Sequence, residues 1–242
     1  FSEIIEGNFY YVDKTQYADN LIDQGKYYFL SRPRRFGKSL FLDTLKELFE
    51  GNEALFRGLY IHDKWDWQKK FPVIHLSFVD GVFNSRDTLD QRIREMIAYQ
   101  AERFDLQLQT QSISGQFAEL IRLSHESYGN KAVVLIDEYD KPILDNIANP
   151  EAATELREGL KNLYSVIKGA DAHLHFCLLT GVSKFSKVSL FSGLNNLNDI
   201  TLDEAYSALC GYTDNDIDTV FTLELEGLDR DQIRHWYNGY NW

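Results

Sequence analysis

Lys26-Tyr27-Tyr28-Phe29-Leu30 runs through Ser31 into Arg32-Pro33-Arg34-Arg35-Phe36-Gly37-Lys38-Ser39. The first five residues are aromatic, apolar and few, the composition of a buried strand. From Ser39 onward Phe41, Leu45, Leu48 and Phe49 recur at helical spacing until Gly51, a plausible stop signal. A strand, a loop ending in Gly-Lys-Ser and a helix are the context that the phosphate-binding pattern GxxxxGK[ST] requires. Backbone N–H groups of such a loop point at phosphates, and the dipole of the helix after it adds to the attraction. In this reading Lys38 reaches the β- and γ-phosphates, and the Ser39 hydroxyl is a magnesium ligand. Gly37 keeps its place beside the lysine, where a Cβ would crowd the phosphate. The first glycine of the pattern is Arg32 here. Taken alone, the segment is therefore also compatible with a basic Gly-Lys-Ser turn at a surface.

Support comes from Ala132-Val133-Val134-Leu135-Ile136, which runs into Asp137-Glu138. A run apolar on both faces suits a central parallel strand covered by helices. Its two terminal acids then sit at the carboxyl edge of the sheet, where open α/β folds bind ligands. Asp137 is expected to hold magnesium through its water shell, and Glu138 to orient or deprotonate an attacking water. The alternative, a solvated strand end, weakens once the phosphate loop precedes it in the right order. Asp140 and Lys141 read as a solvated ion pair. The next strand, His173 to Leu179, ends at Thr180-Gly181. Thr180 is expected to sense the γ-phosphate or position the water; a cap or turn hydroxyl is the other reading. Ser183 and Lys184 carry the same two readings.

Val73 to Phe78 is a further strand. Leu89, Ile93, Met96, Ile97 and Phe104 stripe one amphipathic helix, and Phe117, Leu120, Ile121 and Tyr128 a second. A helix is expected over Ala152 to Lys168. Strands alternating with helices imply a three-layer α/β/α sandwich with a mostly parallel sheet. Residues 1–25 form a helical and aromatic lead, with a brief strand at Phe9 to Val12 and a helix from about Thr15. Residues 26–201 form the core, and 202–242 an acidic, helical C-terminal lid. Tyr11 or Val12 is placed to pack an adenine ring, whereas Asp13 and Thr15 more simply cap a helix. Arg34, Arg35, Arg230 and Arg234 are candidates for a charge-stabilising finger or are surface residues. A finger acting in trans would need a heterologous interface, so an oligomer stays open.

The 242 residues are 44% hydrophobic and 26% charged, a globular composition. A formal net charge of -12 argues against nonspecific nucleic-acid binding by the chain as a whole. The 2 cysteines, Cys177 and Cys210, make no disulfide framework or CxxC metal site, which indicates a reducing, cytoplasmic compartment. No apolar run is long enough to span a membrane, and no signal peptide opens the chain. Beginning at Phe1 and ending at Trp242, the sequence reads as a fragment trimmed at both ends. No Asn-Lys-x-Asp guanine signature occurs, which sets a GTPase aside. The acid pair suits attack by water better than transfer to a small-molecule acceptor.

Five strings together resemble the AAA-ATPase-like family of bacteria. They are Phe-Tyr-Tyr-Val-Asp-Lys-Thr from Phe9, Arg-Pro-Arg-Arg-Phe-Gly-Lys-Ser-Leu from Arg32, Leu-Ile-Asp-Glu-Tyr-Asp-Lys-Pro from Leu135, Thr-Gly-Val-Ser-Lys-Phe-Ser from Thr180 and Trp-Tyr-Asn-Gly-Tyr from Trp236. Arg32 departs from the general phosphate-loop pattern but not from this family's version. The resemblance implies a P-loop NTPase core of the ASCE/AAA type with ATP and Mg2+ as cofactors. It implies nucleotide binding by Arg35, Gly37, Lys38 and Ser39, with Phe36 and Leu40 beside them, and Asp137 and Glu138 as the acidic pair. It also implies a nuclease-like PD-(D/E)XK domain on the C-terminal side as a partner in the full-length chain. The expected function is an Mg-ATP-dependent ATPase that drives a conformational change in a neighbouring domain or partner. The alternative is a nucleotide-gated scaffold with little turnover.

Overall fold

The computed structural model describes residues 1–183, 190 and 196–237. Five segments form its strands: β1 (Tyr27–Ser31), β2 (Val73–Ser77), β3 (Ala132–Asp137), β4 (Leu174–Gly181) and the two-residue β5 (Asn198–Asp199). They pair in the order β2-β3-β4-β1-β5, every ladder parallel. Every residue of β1 and β3 is buried, as strands covered on both faces must be. Tyr27, Phe29, Ile74, Leu76, Val134, Ile136, Cys177 and Leu179 face one layer of helices. That layer holds α4 (Arg86–Arg103), α5 (Ile113–Tyr128) and α7 (Pro150–Gly169). The intervening residues, among them Tyr28, Leu30, Val133, Leu135 and Leu178, face the other layer, with α2 (Thr15–Gln24) and α3 (Lys38–Glu50). The short helices α1 (Ser2–Glu6) and α6 (Lys141–Leu144) complete the N-terminal and central parts. This is the three-layer α/β/α sandwich expected from the sequence.

The chain leaves β1 on the α3 face and returns from β2 and β3 on the opposite face, as right-handed crossovers in opposite directions along a sheet require. A switch in strand order therefore falls where β1 meets β4, the kind of place at which open α/β sheets bind ligands. Local signals start the helices where they are needed. Ser85 caps α4 in a capping box with Thr88. The Ser112 side chain accepts from the Gly115 N–H, and the Asn149 side chain from the Ala152 N–H just before Pro150. Gly51 ends α3 in the left-handed conformation, φ 78.

Two expectations need correction. Phe9 to Val12 form no strand: the Phe9 N–H turns back to the Ile4 carbonyl at 2.9 Å, and β1 is already flanked by β4 and β5. The aromatic side chains there serve packing instead, with the Tyr10 ring 5.3 Å from Phe221. Beyond Thr201 the described chain is less helical than its composition suggests, with only α8 (Asp214–Val220) and α9 (Arg230–Tyr237) besides a 3-10 turn over Glu204–Tyr206. Ile200, Tyr206, Leu209 and Cys210 pack into the same apolar cluster as α3. No helix among the described residues is long and apolar enough to cross a membrane.

Gly181, at the end of β4, has space requirements of its own. A Cβ there would be driven into the Tyr139 ring and would lie 2.6 Å from Asp140 Oδ1. Gly181→Ala is expected to destabilise the fold by about 1–3 kcal/mol through overpacking. The check is a lower urea midpoint at unchanged slope.

Candidate functional site

The loop after β1 is built around a buried arginine. The Arg32 N–H extends the β1–β4 ladder to the Gly181 carbonyl at 3.1 Å. Its side chain is 1% exposed, and the guanidinium donates to the carbonyls of Ser31 at 3.1 Å, Tyr206 at 3.4 Å and Thr201. Burial pushes the guanidinium pKa below its ordinary value, opposed by the neighbouring Cys210 and Asp199 groups. Arg34 and Arg35 are exposed, and Arg35 takes the left-handed conformation at φ 66. Gly37 comes next but one at φ 92, where a Cβ would meet no protein atom within 4 Å. Glycine is thus needed here for its backbone, and the space beside it is open. Phe36 and Leu40 are half-buried against the α3 cluster, and the Phe36 carbonyl accepts from the Gly211 N–H at 3.0 Å.

Lys38 opens α3, and the residue before it, Gly37, offers no side chain to cap the helix. The first-turn N–H groups of α3 have no side-chain cap, the arrangement that favours an anion. The Lys38 ammonium is 4% exposed in this arrangement and donates to the carbonyls of Arg32 at 3.0 Å and Pro33 at 3.1 Å. Ser39 is exposed at the helix start.

The acids stand one strand away. Leu30 pairs with Thr180 on β4, and Ile136 on β3 pairs with Leu179. Asp137 is 2% exposed; its Oδ1 accepts from the Thr180 hydroxyl at 2.6 Å and the Glu138 N–H at 3.0 Å. Thr180, expected against a γ-phosphate, is fully buried with its hydroxyl on Asp137, where it orients that carboxylate. Glu138 has a left-handed backbone, φ 50, an uncommon state for a residue with a Cβ. Burial first, then the charge of Asp137, raises its pKa, while Lys38 and Arg34 pull it down. Lys38 and Arg34, two of the loop's basic residues, therefore act on the carboxylate. Asp140 corrects the expectation of a solvated ion pair. It is wholly buried and accepts from the N–H groups of Val182 at 3.2 Å and Ser183 at 2.7 Å, holding the turn after β4. Burial raises its pKa against those hydrogen bonds. Lys141 does form an ion pair, with Asp145.

The remaining candidates separate. Tyr11 packs against Phe1 with ring centroids 5.0 Å apart, and its hydroxyl lies 3.4 Å from Thr44 Oγ1 on α3; burial pushes its pKa up to about 12. Asp13 accepts from the N–H and hydroxyl of Thr15 at 2.8 and 2.7 Å and from the Tyr60 N–H at 2.7 Å, a helix-start role. Arg230 pairs with Asp218, and Arg234 with Asp214 at 3.1 Å, both at the surface. Lys184 and Gly239 lie outside the described residues. Sequence reading gave no role to Arg32 beyond its departure from the pattern, and none to His75. Burial lowers the His75 pKa, against the charge of Asp137. A single histidine in an apolar strand carries no signal of that neighbourhood. Among the described residues no group of three or more His, Cys, Asp or Glu is placed to hold a metal. Ser39 and Asp137 offer two oxygen donors, the number a magnesium shared with phosphates needs from the protein.

An uncapped helix N-terminus behind a glycine-lysine-serine loop, with acids across one intervening strand on the same carboxyl edge, is the arrangement of a P-loop α/β domain. The chain belongs to the AAA-ATPase-like family, described as "Predicted AAA-ATPase", whose model matches residues 1–191. It is also 60% identical over 243 residues to a protein of Azotobacter chroococcum mcd 1 described as "Uncharacterized protein in vnfD 5'region". That similarity takes in 100% of this chain and 47% of the relative, so the chain spans about half the relative's length. No solved structure matches the chain.

The acid edge generates two expected outcomes. Thr180→Val leaves a buried carboxylate without its hydroxyl donor and is expected to lower unfolding stability by about 1–3 kcal/mol, read from denaturant curves. Glu138 has a raised folded pKa, so folding favours its protonated form. Its stabilising contribution is complete below the ordinary value of 4.5 and is lost as pH rises through the raised one. Ionised Glu138 therefore costs stability at neutral pH. The neutral variant Glu138→Gln is expected to melt above the wild type at neutral pH, the difference shrinking as pH falls toward 4.5.

Proposed function

We propose that this domain binds Mg-ATP across the carboxyl ends of β1, β4 and β3 and hydrolyses it, using the cycle to change the conformation of a neighbouring domain or partner. The observation that carries the proposal is the strand order: β4 stands between the loop strand and the acid strand and bonds to both. The phosphates would lie along the α3 N-terminus and the loop from Arg35 to Leu40. Lys38 would exchange the Arg32 and Pro33 carbonyls for phosphate oxygens. Ser39 and Asp137 would hold a magnesium ion, which when bound supplies positive charge to the β- and γ-phosphates. Glu138 would take the proton from the water whose oxygen attacks the γ-phosphorus, as the bond from that phosphorus to the β–γ bridging oxygen breaks and ADP leaves with its electron pair. Its raised pKa makes it a stronger base than an ordinary carboxylate. Thr180 positions Asp137, and the exposed Arg34 and Arg35 would meet the γ-phosphate. The partner domain rests on the resemblance, which implies a nuclease-like domain on the C-terminal side; the cytoplasmic assignment rests on cysteine usage alone.

A nucleotide-gated scaffold with little turnover is the second reading. It draws on the Lys38 ammonium, which already has two carbonyl partners within its own loop.

Thermal unfolding with and without Mg-ATP tests the site. Ligand at about 100 times its dissociation constant stabilises the folded state by about 2.7 kcal/mol. That corresponds to a rise of roughly 5–11 °C in a domain of this size, expected in the wild type and absent in Lys38→Ala. Absence of the rise in the wild type would refute nucleotide binding. Glu138→Gln is expected to keep the rise and to lose about 10²–10⁴-fold in turnover. Wild-type turnover no faster than that of Lys38→Ala would favour the scaffold.

A further inference from the structure

We infer that Arg32 is a positioning residue that couples the phosphate loop to the segment 199–211, so that nucleotide occupancy and the order of that segment are linked. The inference rests on the nucleotide reading above and goes beyond it by naming the path through which the site acts on the rest of the chain.

Where the general pattern has glycine, this chain has a cation that is 1% exposed. Its hydrogen-bond partners include carbonyls of a distant segment, Thr201 and Tyr206, besides its neighbour Ser31. The same two stretches meet at two more points. The Ser31 N–H donates to Thr201 Oγ1 at 3.0 Å, and the Gly211 N–H to the Phe36 carbonyl at 3.0 Å. Thr201 is in turn fixed by its N–H on Asp199 Oδ1 at 3.0 Å. The loop from Ser31 to Phe36 is thus held from outside by 199–211. Losing the Thr201 and Tyr206 carbonyls would take two acceptors from a buried cation, an unfavourable change. Displacing 201–206 therefore forces the loop to rearrange, and the reverse holds equally.

Lys38 closes the connection to the ligand. Its ammonium donates to the Arg32 and Pro33 carbonyls, the peptide groups that flank the buried guanidinium's own backbone. A phosphate that draws Lys38 away releases those carbonyls, so the loop's position then rests on the Arg32 anchor in 199–211, and the bound form needs that segment in place. The segment lies beyond the family-matched residues 1–191 and leads directly into α8. Arg32 therefore joins the shared nucleotide-binding part to the C-terminal residues beyond it. Binding linkage is reciprocal, so the effect is measurable from either end.

The test is hydrogen exchange over 199–211 with and without Mg-ATP, beside calorimetric binding, on the wild type, Arg32→Met, Arg32→Lys and Thr201→Val. In the wild type Mg-ATP is expected to slow exchange across 199–211 by about five-fold or more, the lower end of ordinary coupling. Arg32→Met is expected to bind about ten-fold more weakly and to show no ligand-dependent change in 199–211. Arg32→Lys is expected to restore part of that change. Should Arg32→Met fail to fold, Thr201→Val, which removes only the acceptor for the Ser31 N–H, is expected to reduce the change by at least half. Wild-type binding that leaves 199–211 unaltered would overturn the inference while sparing the nucleotide reading. So would full ligand-dependent protection in Arg32→Met or Thr201→Val. A wild type that binds no Mg-ATP would sink the nucleotide reading and the coupling with it.

Discussion

Strand β4 is hydrogen-bonded on one side to the strand that feeds the phosphate loop and on the other to the strand that ends in Asp137. Two strand spacings of about 4.8 Å then set the separation of loop and acids at roughly 10 Å. This separation is enforced by backbone pairing, so it does not depend on any flexible side chain. The end of β4 adds detail to both neighbours. The Thr180 hydroxyl holds Asp137, the Thr180 carbonyl accepts the Tyr139 N–H at 3.0 Å, and the Gly181 carbonyl accepts the Arg32 N–H. Three short segments from distant parts of the sequence become one edge.

The charges at this edge are satisfied mainly by peptide groups. Lys38 rests on two carbonyls, the carbonyls of Ser31, Thr201 and Tyr206 are among the partners of Arg32, and Asp140 accepts from two backbone N–H groups. Buried ions need partners, and peptide dipoles supply many of them here. The pairing of Arg230 with Asp218 and of Arg234 with Asp214 lies out on the surface. The loop itself brings Arg32, Arg34, Arg35 and Lys38 together in a chain whose overall balance is strongly acidic.

The parts legible in sequence were those in which local pattern and tertiary role agree. A fully apolar strand such as Ala132 to Ile136 has only one comfortable place in an α/β fold, and a loop ending in Gly37-Lys38-Ser39 before an amphipathic helix states its own geometry. Long-range partners were hidden. Asp140 looks like any acid beside a lysine, and only the return of the chain at Val182 and Ser183 buries it. Phe9 to Val12 has strand composition, but the Phe9 N–H turns back to the Ile4 carbonyl and the segment joins no ladder. β5 is too short and polar to show a periodicity. Arg32 was visible as an exception, yet its reason lies some 170 residues away at Thr201. The acidic C-terminal part lacks a continuous apolar stripe, so its helices stay short.

The Lys38 ammonium bonded within its own loop has a consequence for which solutes the domain notices. An incoming anion must replace two hydrogen bonds, each worth about 1 kcal/mol net, before it gains anything. Chloride or a single phosphate ion, offering one centre of charge, recovers little more than it displaces. A chain of phosphates that also spans the helix N-terminus gains several contacts for the same initial loss. On the proposed reading the closed lysine would act as a threshold, favouring polyphosphates over the simple salts around it.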